Sequence, residues 1–412
     1  MNLAWLSLSA LIVAIIVSCT MPLNVGVLSI ALAWIVGVYF GGMTVATVFA
    51  GFPIPLFLTL AGVTLLFTQA QINGTLDKLP HRAARLCRGN VGLLPIMFLF
   101  LTSALSSMGP GNIASAALMA PMAMAVAGRA AVPAFLMAIM VGNGASSGSL
   151  SPFAPAGIIV NNIMNRIGLG GHAFATYRNN LLVHIVVALT GYFVLGGWRL
   201  FRKTYTGPAD DTPEAAKLEP THWITLGVIG CLIISVLFLH VDVGMGAFAG
   251  ATVLAALRLA DHKEAIRKMP WPVIMMVCGV TVLISMLEKT QGLDLFTAML
   301  ARFATRDTIT GYIAFVTGMI SVYSSTSGVV LPAFLPTIPG LVQRLGGGDP
   351  VAIASAINIG GHLVDVSPLS TIGALCIAAI PATEDPRALF NKLLAWGLSM
   401  TVVGGVVCYL LF

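Results

Sequence analysis

Charged residues are scarce in this sequence. They account for 9% of the 412 residues, whereas 58% are hydrophobic. A soluble domain carries about 25% charged residues, so a water-soluble protein of this length could not cover its surface. Because one membrane helix takes roughly 20 apolar residues, the chain has room for about ten spans. We therefore predict an all-α polytopic membrane protein.

Signatures of metal and catalytic chemistry are also missing. The six cysteines are scattered, without the spacing of a metal site or a disulfide framework. No His-Glu-x-x-His sequence occurs. We therefore predict that the chain is not an enzyme and that it carries neither an organic cofactor nor a transition metal.

One long stretch lacks charge altogether, yet it is not simply apolar. Residues 130–165 contain no charged residue, and their middle reads "NGASSGSLSPFAPAG". Irregular backbone at membrane depth is tolerated only where it is buried in protein or lines a cavity. We therefore predict a helix broken at the midplane at 132–165. The stretch "NIGGHLVDVSPLSTIG" predicts a second broken helix at 350–382.

The basic residues are distributed unevenly between the predicted loops. If the basic segment 73–88 is cytoplasmic, the cytoplasmic loops hold 15 of the 21 Lys and Arg residues and the outer loops hold 6. The net charge of +6 then reflects topology and not a nucleic-acid partner. We predict that both termini lie outside a bacterial inner membrane.

The two halves of the chain share a pattern of polar residues. Asn143, Ser151-Pro152 and Gly157 recur as Asn358, Ser367-Pro368 and Gly373. Each half has an odd number of predicted crossings, which inverts the second half relative to the first. We therefore predict two inverted repeats.

The predicted repeats contain the same elements. Repeat 1 spans 1–205, with scaffold helices within 3–71, a hairpin at 89–128, the broken helix at 132–165 and a helix at 180–200. A cytoplasmic linker spans 206–220. Repeat 2 spans 221–412, with scaffold helices within 221–289, a hairpin at 308–343, the broken helix at 350–382 and a helix at 392–412.

The two predicted hairpins are uncharged stretches with polar centres, "SSMGPGN" and "YSSTSG". An ordinary pair of spans with an external turn would also return the chain to its own side. We favour re-entrant hairpins, because their tips would meet the breaks in the following spans. Four helix N-termini would then converge on one cavity, which suits an anion. No Arg or Lys falls in this predicted core.

Polar residues at the breaks are candidate ligands. Each Ser-Pro pair is predicted to be the N-cap and first residue of a new half-helix. The ionisable residues of the predicted core are His362 and Asp365. Because a buried unpaired carboxylate is costly, Asp365 would bind sodium, carry a proton or pair with His362. A polar pair that satisfies itself without a function is the alternative.

The sequence resembles the divalent-anion:sodium symporter group of the ion-transporter superfamily, specifically its MatC-type malonate/dicarboxylate carrier branch. The resemblance rests on "GVTLLFTQAQINGTLDKLPHRAARLCRGNVGLLP", "GPGNIASAALMAPMAMA" and "NGASSGSLSPFAPAGII", and it covers nearly the whole chain. It implies a homodimer of scaffold domains, elevator-type movement of the hairpin domain, and uptake of di- or tricarboxylates with sodium.

The resemblance also implies which residues occupy the hairpin tips. In the symporter group each tip carries a Ser-Asn-Thr triplet. Counting back from Pro121 and Pro336 places Gly111–Ile113 and Thr326–Gly328 at these positions. The group's Thr-Pro-Pro motif in the broken helices is replaced here by the two Ser-Pro pairs.

We predict a cation-coupled secondary transporter of small organic dianions, malonate or a C4-dicarboxylate. The predicted substrate-binding residues are Gly111, Asn112, Ser151, Pro152, Thr326, Ser327, His362, Ser367 and Pro368. The predicted cation-binding residues are Ser107, Asn143, Ser146, Ser324, Asn358 and Asp365. Sodium is the expected cation and a proton the alternative. An exporter or exchanger of the same anions, a membrane subunit that needs a binding protein, and an anion channel are also compatible with the sequence.

Overall fold

The computed structural model describes residues 2–21, 23–76, 90–204, 218–239, 241–380 and 384–412. These ranges contain helices and turns but no β-strand, and an isolated β-bridge joins Asn90 to Thr204. The predicted all-helical class is confirmed. Two predicted segments lie partly outside these ranges. They are the basic segment 73–88, from residue 77 onward, and the linker, up to residue 217.

Nine helices are described in the first half of the chain. They are α1 (Leu3–Thr20), α2 (Val25–Trp34), which continues as a π-helical turn (Ile35–Phe40), α3 (Val45–Phe49), α4 (Ile54–Ile72), α5 (Leu93–Met108), α6 (Gly111–Ala130), α7 (Ala134–Gly148), α8 (Pro155–Arg166) and α9 (Ala173–Val194), which a 3-10 turn (Gly197–Arg202) follows.

The described helices of the second half follow a similar order. They are α10 (Pro220–Leu239), α11 (Val243–Ala256), α12 (His262–Lys268), α13 (Trp271–Lys289), α14 (Gly292–Ala301), α15 (Ile309–Ser321), α16 (Leu331–Phe334) after a π-helical turn (Thr326–Val330), α17 (Ile338–Arg344) after a 3-10 turn (Leu335–Thr337), α18 (Pro350–Leu363), which a 3-10 turn (Val364–Val366) follows, α19 (Thr371–Ala378) and α20 (Pro386–Leu411).

Several predicted boundaries differ from the structure. The uncharged run at 44–71 predicts a single span, but the chain is broken between α3 and α4. Pro53 lacks an N–H group, and a proline disfavours helical geometry in the residue before it. The last helix begins at Pro386, before the predicted residue 392, because the Asp385 side chain accepts a hydrogen bond from the N–H of Arg387 at 2.9 Å.

Seven helical segments of the described residues are long and apolar enough to cross a membrane. They are Leu3–Thr20, Ile54–Ile72, Gly111–Ala130, Trp271–Lys289, Thr326–Arg344, Pro350–Ala378 and Pro386–Leu411. Shorter apolar helices, among them α5, α7 and α15, pack between them. The chain is therefore a multi-pass membrane protein.

Glycines bring two helix pairs into direct backbone contact. A Cβ atom added at Gly279 of α13 would lie 2.1 Å from the carbonyl oxygen of Gly26 of α2. One added at Gly62 of α4 would lie 2.5 Å from the carbonyl oxygen of Gly244 of α11. Small residues permit such close approach between membrane helices. We call α1–α4 and α10–α13 the scaffold group.

The remaining long helices form a second group around the broken helices. Within it, α5 packs on α7, and α15 packs on α18. A Cβ atom added at Gly144 would lie 2.5 Å from the Leu99 carbonyl oxygen, and one added at Gly360 would lie 2.2 Å from the Ala314 carbonyl oxygen. The two halves thus use the same glycine contact. We call α5–α9 and α15–α20 the hairpin group; the inverted relation of the halves stays a prediction.

Candidate functional site

A cavity of about 430 Å³ lies between the scaffold group and the hairpin group. Scaffold residues on its wall include Ser18, Phe67 and Met276. The opposite wall is formed by the turn between α5 and α6, by the turn after α15, and by the starts of α8 and α19. Four helix N-termini therefore reach one cavity, an arrangement that the sequence predicts.

The turn between α5 and α6 depends on glycine. Gly109 and Gly111 have φ values of 140° and 77°, which only glycine adopts without strain. A Cβ atom added at Gly109 would lie 1.9 Å from the ring of Phe67 on α4. This turn therefore rests directly on the scaffold group, and Asn112 follows it at the cavity wall.

The turn after α15 is held by hydroxyl groups. The Ser325 Oγ accepts a hydrogen bond from the N–H of Gly328 at 3.0 Å, which caps the π-helical turn. The Ser324 Oγ lies 2.8 Å from the Ser18 Oγ of α1, so this turn also contacts the scaffold group. Thr326 forms a short hydrogen bond with Ser321.

Asp365 joins the two turns. Its Oδ1 accepts a hydrogen bond from the Thr326 Oγ1 at 2.8 Å, and its Oδ2 accepts one from the Asn112 Nδ2 at 3.4 Å. The carboxylate is 8% exposed and lines the cavity. Residues from both halves of the chain thus bind one carboxylate group. Asp365 forms no hydrogen bond with His362, so the predicted pairing of these residues is not observed.

The breaks are longer than the sequence predicts. The N-cap residues are Ala154 and Ser370, and α8 and α19 begin only after them. The prediction that Ser151-Pro152 and Ser367-Pro368 are N-cap and first helical residue is therefore wrong. Both pairs instead open a four-residue turn, which closes by hydrogen bonds of 2.9 Å from Ala154 to Ser151 and 3.0 Å from Ser370 to Ser367. Proline is favoured at the second position of such a turn and also at the first position of a helix.

The structure brings only part of the predicted set to the cavity. Among the predicted substrate-binding residues, Gly111, Asn112, Thr326 and Ser327 line it, as do Ser324 and Asp365 of the predicted cation site. The remaining predicted residues lie outside its wall. They are Ser107, Asn143, Ser146, Ser151, Pro152, Asn358, His362, Ser367 and Pro368. His362 is fully buried, and its predicted role as a substrate ligand stays a prediction.

Ser107 connects the first hairpin to the first break. Its carbonyl oxygen accepts a hydrogen bond from the Ser151 Oγ at 2.6 Å, and its Oγ accepts one from the Tyr177 hydroxyl at 2.9 Å. Nearby, the Ser147 Oγ donates to the Ser103 Oγ at 2.8 Å. The predicted roles of Ser107, Asn143, Ser146 and Asn358 in cation binding stay predictions.

Sequence reasoning missed Lys268. This residue ends α12 and lines the cavity, although its side chain is 55% exposed and forms a salt bridge with Glu264 at 2.7 Å. Apart from Asp365, no other residue of the described cavity wall is charged. Lys268 escapes a sequence search because it belongs to a short helix, α12, that is distant in sequence from the hairpins.

Sequence reasoning also missed Asn180 and His184 of α9. Both are fully buried against the broken helices. The Asn180 Nδ2 donates to the carbonyl oxygens of Ser146 and Ser147, at 2.9 and 3.2 Å, at the end of α7. A signal was present, since the spacing Asn-x-x-x-His also joins Asn358 to His362.

Two solved structures, both of transport proteins, share this fold. MtrF of Neisseria gonorrhoeae, described within a class of antimetabolite efflux pumps, gives a TM-score of 0.59 at 15% identity over 89% of this chain and 82% of that one. The YdaH transporter of Alcanivorax borkumensis, described as having an unusual topology, gives 0.58 at 14% identity over 91% and 88%. At such identities the likeness establishes the fold alone.

Two protein families also match parts of the sequence. Residues 1–149 match the N-terminus of the dicarboxylate carrier protein MatC, and residues 244–412 match the citrate transporter family. No curated protein matches the sequence. The resemblance to MatC-type dicarboxylate carriers, first indicated by the sequence motifs, is confirmed.

Proposed function

We propose that this chain is a secondary transporter of small organic dianions, malonate or a C4-dicarboxylate, across the bacterial inner membrane. The observation that carries the proposal is the convergence of four helix N-termini on one cavity. The matches to a dicarboxylate carrier and to citrate transporters support a carboxylate as the substrate.

The cavity wall supplies donors for two carboxylate groups. The first N–H groups of α6 and α19 lack carbonyl partners within their own helices and carry partial positive charge. Side-chain donors lie beside them, the Asn112 amide on α6 and the Ser370 and Thr371 hydroxyls at the start of α19. The Ser327 hydroxyl lies at the second hairpin turn. Because these groups come from different elements, a dianion would bridge them while a monoanion would satisfy one set.

A cation is needed because a dianion buried alone beside a carboxylate would be strongly disfavoured. Asp365 offers two oxygen atoms, and the Gly361 carbonyl oxygen accepts from the same Thr326 Oγ1 at 3.2 Å. These oxygen atoms suit sodium, the cation that we propose, with a proton as the alternative. Cation binding at Asp365 would order both hairpin turns before the dianion binds.

The position of the cavity supports an elevator mechanism. One wall belongs to the scaffold group and the other to the hairpin group, so movement of one group past the other would carry the ligand with the hairpin group. Backbone contacts at glycine hold helices together within each group. We further propose that two copies of the chain associate through their scaffold groups.

Counterflow in proteoliposomes tests the function. The purified chain should exchange radiolabelled malonate or a C4-dicarboxylate, and a sodium gradient should drive net uptake. Asn112→Ala removes one donor to a charged ligand, worth about 1.5–3 kcal/mol, so the apparent affinity should fall roughly tenfold or more. Asn391→Ala is the matched control, because Asn391 is exposed on α20. Wild-type protein that exchanges no carboxylate would contradict the proposal.

A further inference from the structure

A second cavity of about 440 Å³ lies apart from the substrate cavity, and the described walls of the two share no residue. It is formed by the starts of α15 and α18 and by the last turn of α20. The segments that contain α18 and α20 are long and apolar enough to cross a membrane. The ends of such helices lie at the level of the lipid headgroups, so the second cavity lies at that level.

Charged groups of both signs line the second cavity. Arg306 and Asp307 precede α15, and Asp349 precedes α18, where its Oδ1 accepts a hydrogen bond from the N–H of Val351 at 2.8 Å. All three charged side chains are exposed. Within the described part of the chain, no salt bridge joins them. The wall therefore presents one positive and two negative groups that are not paired with each other.

A glycine loop positions the guanidinium group of Arg306. Gly346, Gly347 and Gly348 have φ values of 71°, 136° and 118°, which glycine adopts without strain. A Cβ atom added at Gly347 would lie 3.4 Å from the Arg306 Cζ. The guanidinium group therefore rests against this loop, beside Asp349.

Thr310 of α15 brings a buried polar group to the same cavity. It is 5% exposed and belongs to the cavity wall. Neighbouring threonines bond within the chain, since the Thr305 Oγ1 lies 3.0 Å from the Thr308 Oγ1 and the Thr317 Oγ1 donates to the Ile313 carbonyl oxygen at 2.7 Å. The Thr310 hydroxyl has no such partner among the described residues. Because buried polar groups nearly always have a partner, this hydroxyl points to a ligand in the cavity.

An apolar stripe leads away from the second cavity along α20. Val402, Val406 and Tyr409 are exposed, and their spacing of four and three residues places them on one face of the helix. A Cβ atom added at Gly311 of α15 would lie 2.8 Å from the Tyr409 Cβ, so α15 and α20 pack closely at the cavity. The stripe thus joins a charged cavity to the apolar interior of the membrane.

The charges of the cavity wall select among possible ligands. The described residues contain no group of three His, Cys, Asp or Glu side chains that could hold a metal ion. An anion with no positive group of its own would meet two aspartates and one arginine. A ligand that carries both a phosphate and an ammonium group matches both signs of the wall.

We propose that the second cavity binds the headgroup of a phospholipid with a primary ammonium group, such as phosphatidylethanolamine. The phosphate accepts hydrogen bonds from Arg306 and Thr310, since guanidinium and phosphate groups bind each other in a strong, directional way. The ammonium group has three N–H donors, which bond to Asp307 and Asp349. The acyl chains follow the stripe on α20. This site does not depend on the proposed function.

The first test uses wild-type protein alone. The full chain, purified and stripped of lipid in detergent, is titrated in native mass spectrometry with phosphatidylethanolamine, phosphatidylcholine and phosphatidylglycerol of identical acyl chains. We expect phosphatidylethanolamine to bind roughly two- to fivefold more tightly than either, because choline has no N–H donor and glycerol has no positive charge. Equal affinities, or a preference for another of the three lipids, would overturn the proposal.

Soluble phosphoethanolamine distinguishes a lipid site from a site for a small zwitterion. It carries the same charged groups without acyl chains, so we expect it to displace the bound lipid only at far higher concentration. Displacement at concentrations similar to those of the lipid would overturn the assignment to a lipid.

The second test separates the two halves of the headgroup. Asp307→Asn combined with Asp349→Asn removes both carboxylates, and asparagine still caps α18. We expect this double variant to bind phosphatidylethanolamine and phosphatidylcholine equally. Asp294→Asn, which is exposed and outside the cavity wall, should keep the wild-type preference. A double variant that keeps this preference as well would overturn the proposal.

Arg306→Gln and Thr310→Val test the phosphate contacts. Both lipids carry a phosphate, so each variant should weaken both by roughly two- to fivefold and leave their ratio unchanged. The matched control is Arg302→Gln, because Arg302 is exposed and lies outside the cavity wall. Equal losses in Arg306→Gln and Arg302→Gln would show a general charge effect and overturn the site. Thermal unfolding without lipid checks each fold, and the wild-type titration decides even if a variant unfolds.

Discussion

Asp365 is the residue on which the two halves of the chain converge. Thr326 belongs to the second hairpin and Asn112 to the first, yet both donate to this one carboxylate. Hydrogen bonds to a charged group are stronger than those between neutral groups. A charge on Asp365 would therefore strengthen the hydrogen bonds that link both turns.

Asp365→Asn tests this role. The asparagine side chain keeps the size of aspartate but carries no charge, so Thr326 and Asn112 would no longer bond to a charged group. We expect cation activation of uptake to fall roughly tenfold or more, because hydrogen bonds to a charged group are worth about 1.5–3 kcal/mol. The loss of cation activation is measured as uptake at graded sodium concentrations.

Asp294→Asn serves as the control for this change. Asp294 is exposed on α14 and lies outside the cavity wall, so uptake should be unaffected. If Asp365→Asn responds to sodium and to pH just as wild type does, the carboxylate has only a structural role.

At the scale of elements, the breaks in the two long helices follow one design. In each break, the carbonyl oxygen of the serine in the Ser-Pro turn lies where the side chain of a later residue would be. That later residue is a glycine. A Cβ atom added at Gly157 would lie 1.9 Å from the Ser151 carbonyl oxygen, and one at Gly373 would lie 2.1 Å from that of Ser367. Glycine at this position lets the second half-helix fold back against the turn.

Gly373→Ala should therefore destabilise the protein. The added methyl group would overlap backbone, and overpacking typically costs about 1–3 kcal/mol. Thermal unfolding of the purified protein in detergent measures the change. Gly230→Ala is the matched control, because nothing lies within 4 Å of a Cβ atom at that position of α10. Since alanine favours helix over glycine by about 1 kcal/mol, the control should unfold no earlier than wild type, and equal loss in both variants would contradict the role of Gly373.

The short helix α12 contributes the cation at the cavity wall. Lys268 forms a salt bridge with Glu264, and a bound dianion would compete for the same ammonium group. Because the side chain is largely exposed, Lys268→Gln should weaken substrate binding only roughly two- to fivefold, with a larger effect at low salt. Binding at graded salt concentration measures this, with exposed Arg267→Gln as control. Identical affinities in the two variants would remove Lys268 from the site.

Helix positions could be predicted from the sequence because long uncharged runs have few alternatives to membrane helix. The exact course of the breaks could not. A Ser-Pro pair is favoured at the start of a turn as well as at the start of a helix. In "SPFAP" the helix begins at the second proline, Pro155. The junction at Asp365 was also beyond sequence reasoning, because Asn112 and Thr326 reach it only through tertiary packing. The burial of His184 depends on packing in the same way.

At the scale of the whole molecule, contacts between distant segments agree with the predicted sidedness. Segments assigned to the outer face meet each other, since Arg166 forms a salt bridge with Glu288 at 3.6 Å and Lys289 donates to the Thr47 carbonyl oxygen. Segments assigned to the inner face do the same, since the ring of His222 lies 3.2 Å from the Asn73 carbonyl oxygen. The direction of the molecule in the membrane stays a prediction.

Cysteine labelling in intact cells tests that direction. A cysteine placed at exposed His262, before α13, should react with an impermeant maleimide only after the inner face is opened. A cysteine at exposed His172, before α9, should react from outside. Thr212, a further inner-face position, lies outside the described residues. The reverse pattern of labelling would invert the topology.

The glycine contacts of the scaffold group have a consequence for biosynthesis. Gly26 and Gly62 are made early, but their partners Gly279 and Gly244 belong to the second half. Neither contact forms until the ribosome has passed well beyond the middle of the chain. Helices α2 and α4 must therefore wait in the bilayer without these two partners, and the scaffold is completed only as α11 and α13 leave the insertion machinery. A nascent chain stalled before residue 244 has neither contact and is the form that membrane quality control would encounter.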